Sequence, residues 1–204
     1  DIITVSKALS GGYIPVGAML CSAKVSDAVY SSMERAVVHS STFSTNQLAM
    51  VAGLATLHAI DEENIVERAA DTGELFMQAL QPLVEKHDLL HEVRGKGLMI
   101  GLEFGEPTAR GSRMRYKAVE KVRTAMFSQL VVVPLFHRHR ILTQVAADNV
   151  NIVKLLPPLI AGQAEVDLFA EALDDVLTSA EKGSGLLFEV GRTLAKGSLR
   201  GSGR

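Results

Sequence analysis

The chain has 204 residues, of which 47% are hydrophobic and 22% are charged. This composition is close to that of ordinary globular proteins, so it excludes a disordered chain, a collagen-like repeat and a coiled coil as descriptions of the whole. The 21 Lys and Arg residues nearly balance the 23 Asp and Glu residues, so we expect no nucleic-acid partner, and the apolar runs fall far short of the roughly 20 residues that span a bilayer, so we expect no membrane partner.

The first 60 residues are predicted to form two strands and two helices. In chain order these are a strand at 1–5, a buried strand at 16–22, a short helix at 26–33, and a helix at 47–60 that is buried nearly all round. Cys21 is the only cysteine, so no intrachain disulfide can form and a reducing cytoplasm is the expected location. Its apolar strand predicts an inert core residue.

The pattern from residue 61 onward predicts an α+β unit. Its predicted elements are a long helix ending near residue 86, a strand at 98–104, a helix at 115–130, short strands at 131–134, 140–145 and 150–156, and an amphipathic helix from residue 163. The remaining residues are rich in Gly, Ser and basic residues, which predicts a flexible tail at 181–204.

Lys7 is the first candidate for catalysis, because it directly follows a predicted strand and precedes a glycine-rich loop. An ordinary lysine has a pKa of about 10.4, so presenting the neutral amine at pH 7 costs roughly 4.6 kcal/mol unless burial or a covalent imine offsets it. The strand before Lys7 is predicted to be buried, so we expect apolar surroundings for its amine, which an imine-forming lysine needs. The alternative is a lysine that simply extends from a strand end into solvent.

Two further segments carry binding chemistry. Ser40, Ser41 and Thr42 precede a predicted helix, and hydroxyls with free amides at a helix N-terminus bind phosphate, although simple N-capping is the alternative. Arg94 has the planar fork that grips a carboxylate through two parallel hydrogen bonds, and the neighbouring Gly95 leaves room for the approach. The alternative for Arg94 is a surface arginine at a strand entrance.

Two other patterns favour no site. The sequence at 95–97 lacks the upstream glycine and the following Ser or Thr of a P-loop. The His-Arg-His-Arg run at 137–140 is predicted to be the solvated face of a short strand. Because no further ligand follows at metal-binding spacing, we expect no metal site.

Four segments resemble the class III aminotransferases, which are fold-type I pyridoxal-phosphate enzymes that include the ornithine, acetylornithine, putrescine and 4-aminobutyrate aminotransferases. The segments are DIITVSKALSGG at 1–12, HSSTF at 39–43 with Asn46, VRGKGLM at 93–99 and LLPPL at 155–159. Their order and approximate spacing also agree with the family. The resemblance covers residues 1–177.

The resemblance implies an α/β fold that combines the C-terminal part of the pyridoxal-phosphate-binding large domain with a complete small α+β domain. The implied boundaries are 1–60 for the large-domain part, 61–88 for a connecting helix, 89–180 for the small domain and 181–204 for the tail. Three features of the family's upstream half are missing from this sequence: the aspartate that pairs with the pyridine nitrogen, the phosphate-cradling turn and the ring-stacking aromatic residue. We therefore expect a piece of a longer enzyme that is inactive alone.

The resemblance also implies a role for each candidate residue. Lys7 resembles the lysine that forms the internal aldimine with pyridoxal 5'-phosphate and moves a proton between substrate and cofactor. Thr42 resembles the threonine that hydrogen-bonds the cofactor phosphate of the neighbouring subunit, which implies a homodimer. Arg94 resembles the arginine that binds a substrate carboxylate. Residues 44–47 are Ser-Thr-Asn-Gln where many relatives have two glycines and Asn-Pro, so we expect a differently shaped helix start.

The implied function is transfer of an amino group between an amine or amino acid and a 2-oxo acid, by way of the Lys7 aldimine. Ornithine, acetylornithine, putrescine and 4-aminobutyrate are the expected types of donor, and the sequence does not choose among them. The alternatives are a non-catalytic aminotransferase-like dimerisation subunit and another class III reaction, such as that of an aminomutase or a decarboxylase. The retention of Lys7, Thr42 and Arg94 argues against the first alternative, whereas Lys7 would serve either reaction of the second.

Overall fold

The computed structural model describes residues 1–39, 41–108, 113, 117, 126–146 and 151–182. This part of the chain is a mixed α/β structure that divides into two compact units between Val66 and Glu67. Most of the helix predicted at 115–130, and the tail predicted at 181–204 from residue 183 onward, lie outside the described residues.

The first unit contains a two-stranded antiparallel sheet. Strands β1 (Ile2–Ser6) and β2 (Gly17–Cys21) pair so that Ile2 lies opposite Cys21. The β-branched residues of β1 favour this extended form, as the sequence predicts. The unit's other elements are a 3-10 helix at Lys7–Ser10, helix α1 at Ala23–Val29, a 3-10 helix at Met33–Arg35 and helix α2 at Gln47–Glu62.

Burial in the first unit is lower than the sequence predicts. The residues of β2 are exposed apart from the half-buried Cys21, so the predicted buried strand and core cysteine are both wrong. Helix α2 buries only Ala49 and Gly53, so the prediction that it is buried nearly all round is also wrong. The 3-10 helix packs on α2 where Gly53 lacks a side chain, beside the Leu9 carbonyl. Apolar side chains predict a tendency to be buried, but they do not show whether another element covers them.

The second unit packs helices on one face of a four-stranded antiparallel sheet with the strand order β3-β4-β6-β5. Its elements are helix α3 at Ile65–Lys86, which begins two residues before the unit boundary, β3 at Leu90–Lys96, β4 at Met99–Phe104, helix α4 at Met126–His139, β5 at Gln144–Val145, β6 at Ile152–Leu155 and helix α5 at Gln163–Lys182. Alternate residues of β4 are buried, which shows that one face of the sheet meets the helices, while the described residues leave the other face open.

The core of the second unit joins the helices to that sheet face. The predicted apolar stripes of α3 and α5 are confirmed, and the rings of Phe76 and Phe169 meet edge to face with centroids 6.2 Å apart. The core residues from the helices and strands are Phe76, Leu80, Leu83, Leu90, Val93, Ile100, Leu102, Phe104, Leu130, Val131, Leu135, Val153, Leu155, Val166, Phe169, Ala172, Leu173, Val176 and Leu177.

Residues 131–139 are helical, which corrects the strand predicted at 131–134 and the strand face predicted at 137–140. Three consecutive valines favour a strand by propensity, but Leu130, Val131 and Leu135 are buried at helical spacing against the core. Tertiary packing therefore outweighs the local preference. The basic run stands at the C-terminal end of α4, where the helix dipole favours cations, and His139 Nε2 lies 2.9 Å from Asp175.

Helix α3 approaches the turn between β3 and β4 without any intervening side chain. A Cβ atom placed on Gly73 would lie 2.4 Å from the carbonyl oxygen of Gly97, and Gly97 itself has a φ of 53°. A Cβ on Gly95 would lie 2.6 Å from the Met99 carbonyl oxygen. Backbone proximity therefore requires glycine at both 73 and 95.

The end of α3 is tied to α5 by a buried histidine. His87, only 2% exposed, places Nε2 at 2.7 Å from Asp174 and Nδ1 at 3.1 Å from Glu181. Lys86 Nζ lies 2.6 Å from the same Asp174 carboxylate. The hydrogen bond from Lys86 lowers the pKa of Asp174, His87 adds to this effect, and burial opposes it.

Candidate functional site

Lys7 lies at the junction between β1 and the first 3-10 helix. Its φ is 56°, a left-handed conformation that is uncommon outside glycine, and it fixes the direction in which the side chain leaves the strand end. The side chain of Lys7 and the residues of β1 are exposed, so the apolar surroundings predicted for the Lys7 amine are wrong within the described residues. The Lys7 side chain forms no hydrogen bond or ion pair with any residue that the structure describes. The amine is therefore available to an external partner.

The loop after Lys7 is fastened by Ser10, which the sequence does not single out. Ser10 is 2% exposed, and its Oγ donates to the Ile14 carbonyl at 2.5 Å and accepts from the Ile14 amide at 3.2 Å. Gly11 and Gly12 between them have φ values of 65° and 84°, which only glycine adopts readily. The two hydrogen bonds between Ser10 and Ile14 thus close the loop. The sequence does not reveal this role of Ser10, because a serine next to glycines is a common pattern.

Thr42 lies in a second turn, before helix α2. The Ser41 amide donates to Ser44 Oγ at 3.0 Å, and that hydroxyl donates to the Ser41 carbonyl at 2.8 Å. Asn46 caps α2, since its side chain accepts a hydrogen bond from the Ala49 amide at 3.1 Å. Thr42 is exposed, and its hydroxyl has no partner within the described ranges, so the capping alternative does not occupy it. Ser40 lies outside the described residues.

Arg94 lies in β3 on the open face of the sheet. Its Nη1 donates to Glu92 and to Glu103, each at 2.5 Å, and the side chain is 45% exposed. The hydrogen bond to Glu103 raises the pKa of Arg94, as do its interactions with Glu92, while burial opposes them. Arg94 is therefore an exposed arginine of the strand whose Nη1 is held by two glutamates, and the surface-arginine alternative stays open.

Arg94 borders an open groove of about 450 Å³ on this face. The groove is lined by Arg94, Gly95, Lys96, Met99, Ile100, Gly101, Ile152 and Lys154. The strand register sets Gly101 between Arg94 on one side and Lys154 on the other. The Lys154 ammonium has no partner among the described residues.

Lys154 is a candidate binding residue that the sequence prediction missed. In β6 the buried residues are Val153 and Leu155, so strand alternation places Lys154 on the open face. This alternation was visible in the sequence, but it identified a cation near Arg94 only once the strand pairing was known. The structure thus brings Lys154 and Arg94 to one groove, whereas Lys7 and Thr42 belong to the other unit.

None of the helices in the described ranges is long and apolar enough to cross a bilayer. In the same ranges, no group of three or more His, Cys, Asp or Glu residues could hold a metal ion.

The chain resembles known transaminases in sequence and in fold. It is 34% identical over 178 residues to the acetylornithine aminotransferase of Caldanaerobacter subterraneus subsp. tengcongensis, a match that covers 87% of this chain and 38% of that protein. It is 31% identical to the diaminobutyrate–2-oxoglutarate aminotransferase of Rhizobium meliloti, covering 85% of this chain and 34% of the relative. An amine transaminase from an uncultivated Pseudomonas species, solved in its PLP-bound form, has a TM-score of 0.72 and 29% identity, covering 88% of this chain and 38% of its own.

The match extends over most of this chain but only part of each relative. The chain spans 24% to 38% of the length of the curated relatives it matches. A family model described as Aminotransferase class-III matches residues 1–177, which include Lys7, Thr42 and Arg94. This chain therefore belongs to the class III aminotransferases.

Proposed function

We propose that this chain carries the cofactor-anchoring lysine of an aminotransferase that moves an amino group between an amine or amino acid and a 2-oxo acid. The observation that carries the proposal is the unengaged ammonium of Lys7 at the end of β1, inside the range that the family model matches. Class III aminotransferases depend on pyridoxal 5'-phosphate, and the amine transaminase from Pseudomonas was solved with it bound.

The donor groups of the first unit fit this cofactor. Lys7 offers a primary amine that would hold the cofactor's aldehyde, and Thr42 offers a hydroxyl that would donate to a phosphate oxygen. Neither group is engaged by a residue that the structure describes. When bound, pyridoxal 5'-phosphate supplies an electron sink that makes a proton on the amine-bearing carbon easier to remove.

The residues of this chain would handle the proton and the charge. The Lys7 amine, when neutral, accepts the proton from the amine-bearing carbon of the substrate and returns it later in the reaction. Arg94 would bind the substrate carboxylate, because its guanidinium keeps a fixed charge and orientation. Lys154 supplies a second cation in the same groove, without the planar fork.

The relatives favour a donor that is an amino acid with a second nitrogen. Acetylornithine and diaminobutyrate are the substrates in the names of two relatives that are at least 31% identical to this chain. We extend the proposal to this class of donor, and putrescine and 4-aminobutyrate remain to be compared with it directly.

The proposal also includes an assembly. Thr42 would donate to the cofactor phosphate of the neighbouring subunit of a homodimer, which its exposed hydroxyl permits. Residues 61–88 as connecting helix, 89–180 as a complete small domain and a cytoplasmic location remain predictions.

The test replaces Lys7 in the enzyme that contains this chain. We expect Lys7→Ala to remove the visible absorbance of the imine between the cofactor and Lys7. We also expect transamination to fall about 10²- to 10⁴-fold, because both covalent attachment and proton transfer are lost. Borohydride should fix the cofactor to the peptide that contains Lys7, as measured by mass spectrometry. Lys24→Ala is the matched control, since Lys24 is an exposed lysine of α1 in the same unit.

A persisting visible absorbance in the Lys7 variant, with the label on another lysine, would show that the assignment is wrong. A screen of ornithine, acetylornithine, diaminobutyrate, putrescine and 4-aminobutyrate separates the reaction types. An aminotransferase consumes a 2-oxo acid in stoichiometric amount, a decarboxylase releases carbon dioxide without one, and an aminomutase isomerises a single substrate. A non-catalytic subunit would do none of these.

A further inference from the structure

Lys7 is held in a backbone conformation that residues with a side chain rarely adopt. Its φ is 56°, in the left-handed region, where the Cβ atom crowds the following carbonyl oxygen. Such a conformation persists only where the surrounding structure holds it, and it is found most often at functional positions. The residues that hold the backbone of Lys7 therefore decide where its amine points.

Two pairs of residues close the segment that contains Lys7. Ser6, the last residue of β1, pairs with Gly17, the first residue of β2. Ser10 forms two hydrogen bonds with Ile14, one to its carbonyl oxygen at 2.5 Å and one from its amide at 3.2 Å. Along the chain, three residues separate the two pairs on the first side and two residues separate them on the second. Lys7 therefore lies in a short closed segment whose far end is fastened by the Ser10 hydroxyl.

The Ser10 side chain is buried although Lys7 is exposed. Ser10 is 2% exposed, and the 3-10 helix that it ends packs on α2. A Cβ atom on Gly53 of α2 would lie 3.7 Å from the Leu9 carbonyl oxygen, so the helix and this turn meet closely. A buried hydroxyl that is bonded both as donor and as acceptor is costly to replace with a group that forms neither bond. Ser10 thus fastens the segment from its buried side.

The reaction proposed for the Lys7 amine depends on the direction of that amine. Bond formation and proton transfer both need reacting atoms that lie about 3–3.5 Å apart and are aligned, and a displacement of about 1 Å can lower a rate about 10²-fold. The Lys7 side chain has no partner among the described residues. Its direction within this part of the chain therefore depends on its backbone.

We propose that Ser10 is a positioning residue whose hydroxyl fastens the loop, holds Lys7 in its left-handed conformation and so directs the Lys7 amine toward the cofactor. The inference rests on the proposed function, which assigns cofactor anchoring to Lys7. Ile14 occupies the Ser10 hydroxyl both as donor and as acceptor, so Ser10 acts through the backbone and not on the reacting atoms.

The experiment compares Ser10→Ala, Ser10→Thr and the parent, in the enzyme that contains this chain and after removal of the cofactor. Hydrogen–deuterium exchange of the Ile14 amide should be about tenfold faster in Ser10→Ala, which corresponds to the loss of one hydrogen bond. Saturating pyridoxal 5'-phosphate is then added, and the first-order rate constant for growth of the visible imine absorbance should fall about tenfold. Ser10→Thr keeps the hydroxyl and should recover most of both changes.

The rate constant separates positioning from a loss of stability, because it does not depend on how much of the protein is folded. Ser31→Ala is the control, since Ser31 is an exposed serine of the same unit, and it should change neither measurement. In Ser10→Ala, faster exchange with an unchanged rate constant would mean that the hydroxyl only closes the loop. Unchanged exchange would mean that the hydroxyl does not close it. Either result overturns the proposal.

Gly12→Ala disturbs the same loop without altering Ser10. Gly12 has a φ of 84°, and a Cβ atom there would meet no described residue beyond its chain neighbours within 4 Å, so the substitution acts through backbone conformation. We expect faster exchange at Ile14 and a rate constant that is several-fold lower. If Ser10→Ala does not fold, Gly12→Ala decides, and an unchanged rate constant in it overturns the proposal.

Lys7→Ala separates this inference from the proposed function. If Lys7→Ala abolishes the imine absorbance and Ser10→Ala leaves the rate constant unchanged, the positioning role is wrong and the assignment of Lys7 stands. If the absorbance persists in Lys7→Ala with the label on another lysine, the assignment of Lys7 is wrong and the role of Ser10 falls with it.

Discussion

The two units of the chain use their apolar residues in opposite ways. In the second unit, large side chains such as Phe76, Leu80 and Leu173 are at most 1% exposed. In the first unit, Leu48 and Leu54 of helix α2 are 63% and 58% exposed. The second unit thus has its own hydrophobic core, whereas the described residues of the first unit build none of comparable size. Large apolar side chains are therefore buried in the second unit and exposed in the first, although both units contain them.

The largest expected effect tests this contrast directly. Phe76→Ala should reduce the free energy of unfolding of the second unit by about 3–5 kcal/mol, because it opens a cavity in a packed core. Leu54→Ala on α2 removes an exposed side chain and should change stability by only about 0.5 kcal/mol. Urea unfolding followed by circular dichroism measures both. Equal losses would show that α2 is covered in solution and that the contrast is wrong.

The second prediction concerns the polar tie between α3 and α5. Asp174→Asn should lower the free energy of unfolding by about 1–2 kcal/mol, because it weakens the interactions of this side chain with Lys86 and with buried His87. The partial exposure of Asp174 limits the loss. Since the pKa of Asp174 is lower in the folded state, its ionised form stabilises the fold above the unfolded pKa of about 3.9, and this stabilisation is lost as pH falls through the folded pKa.

Thermal unfolding at a series of pH values checks the sign of that effect. Below pH 4 the parent should lose stability more steeply than Asp174→Asn, and the two curves should converge. Parallel curves would mean that the carboxylate of Asp174 contributes nothing specific to the docking of α5.

The smallest expected effect returns to the first unit. Thr45 is β-branched and has a φ of 54°, which costs about 1–2 kcal/mol for a residue with a side chain. Thr45→Gly should relieve this cost, less the extra entropy of glycine in the unfolded chain, for a net gain of up to about 1 kcal/mol. Thr56→Gly lies inside α2 and should instead destabilise by about 0.5 kcal/mol, because glycine has a lower helix propensity than threonine. If Thr45→Gly does not increase stability, the turn at Thr45 is unstrained.

The sequence predicted the elements whose apolar period matches their actual burial. The stripes of α3 and α5 repeat at helical spacing and meet the core, so the type of element and the buried side are both correct. The valine run at 131–133 shows the limit, because strand propensity and burial in a helix pull in opposite directions and only the neighbouring sheet decides. The cover of α2 and β2 was mispredicted because it depends on residues distant in sequence.

The candidate site also has a part that could be predicted from the sequence and a part that could not. The turns that carry Lys7 and Thr42 follow from local signals, namely a strand end, paired glycines and a Ser/Thr-rich segment. The apolar surroundings predicted for Lys7 are wrong, because the described residues leave both side chains exposed. Their catalytic roles stay predictions. The partners of Arg94 were not predictable without the strand register, since Glu103 lies nine residues away and faces Glu92 only after β3 and β4 pair.

The close approach of Gly73 to Gly97 links helix α3 to the orientation of Arg94. Because bare backbone meets bare backbone there, no side-chain rotation can absorb a change, and the turn that joins β3 to β4 is set by the rigid cylinder of α3. A single methyl group added at Gly73 would push that turn and, through it, the strand that carries Arg94. Replacing one hydrogen atom of Gly73 with a methyl group, on the side of the sheet that meets the helices, would thus change the orientation of the Arg94 guanidinium on the open face.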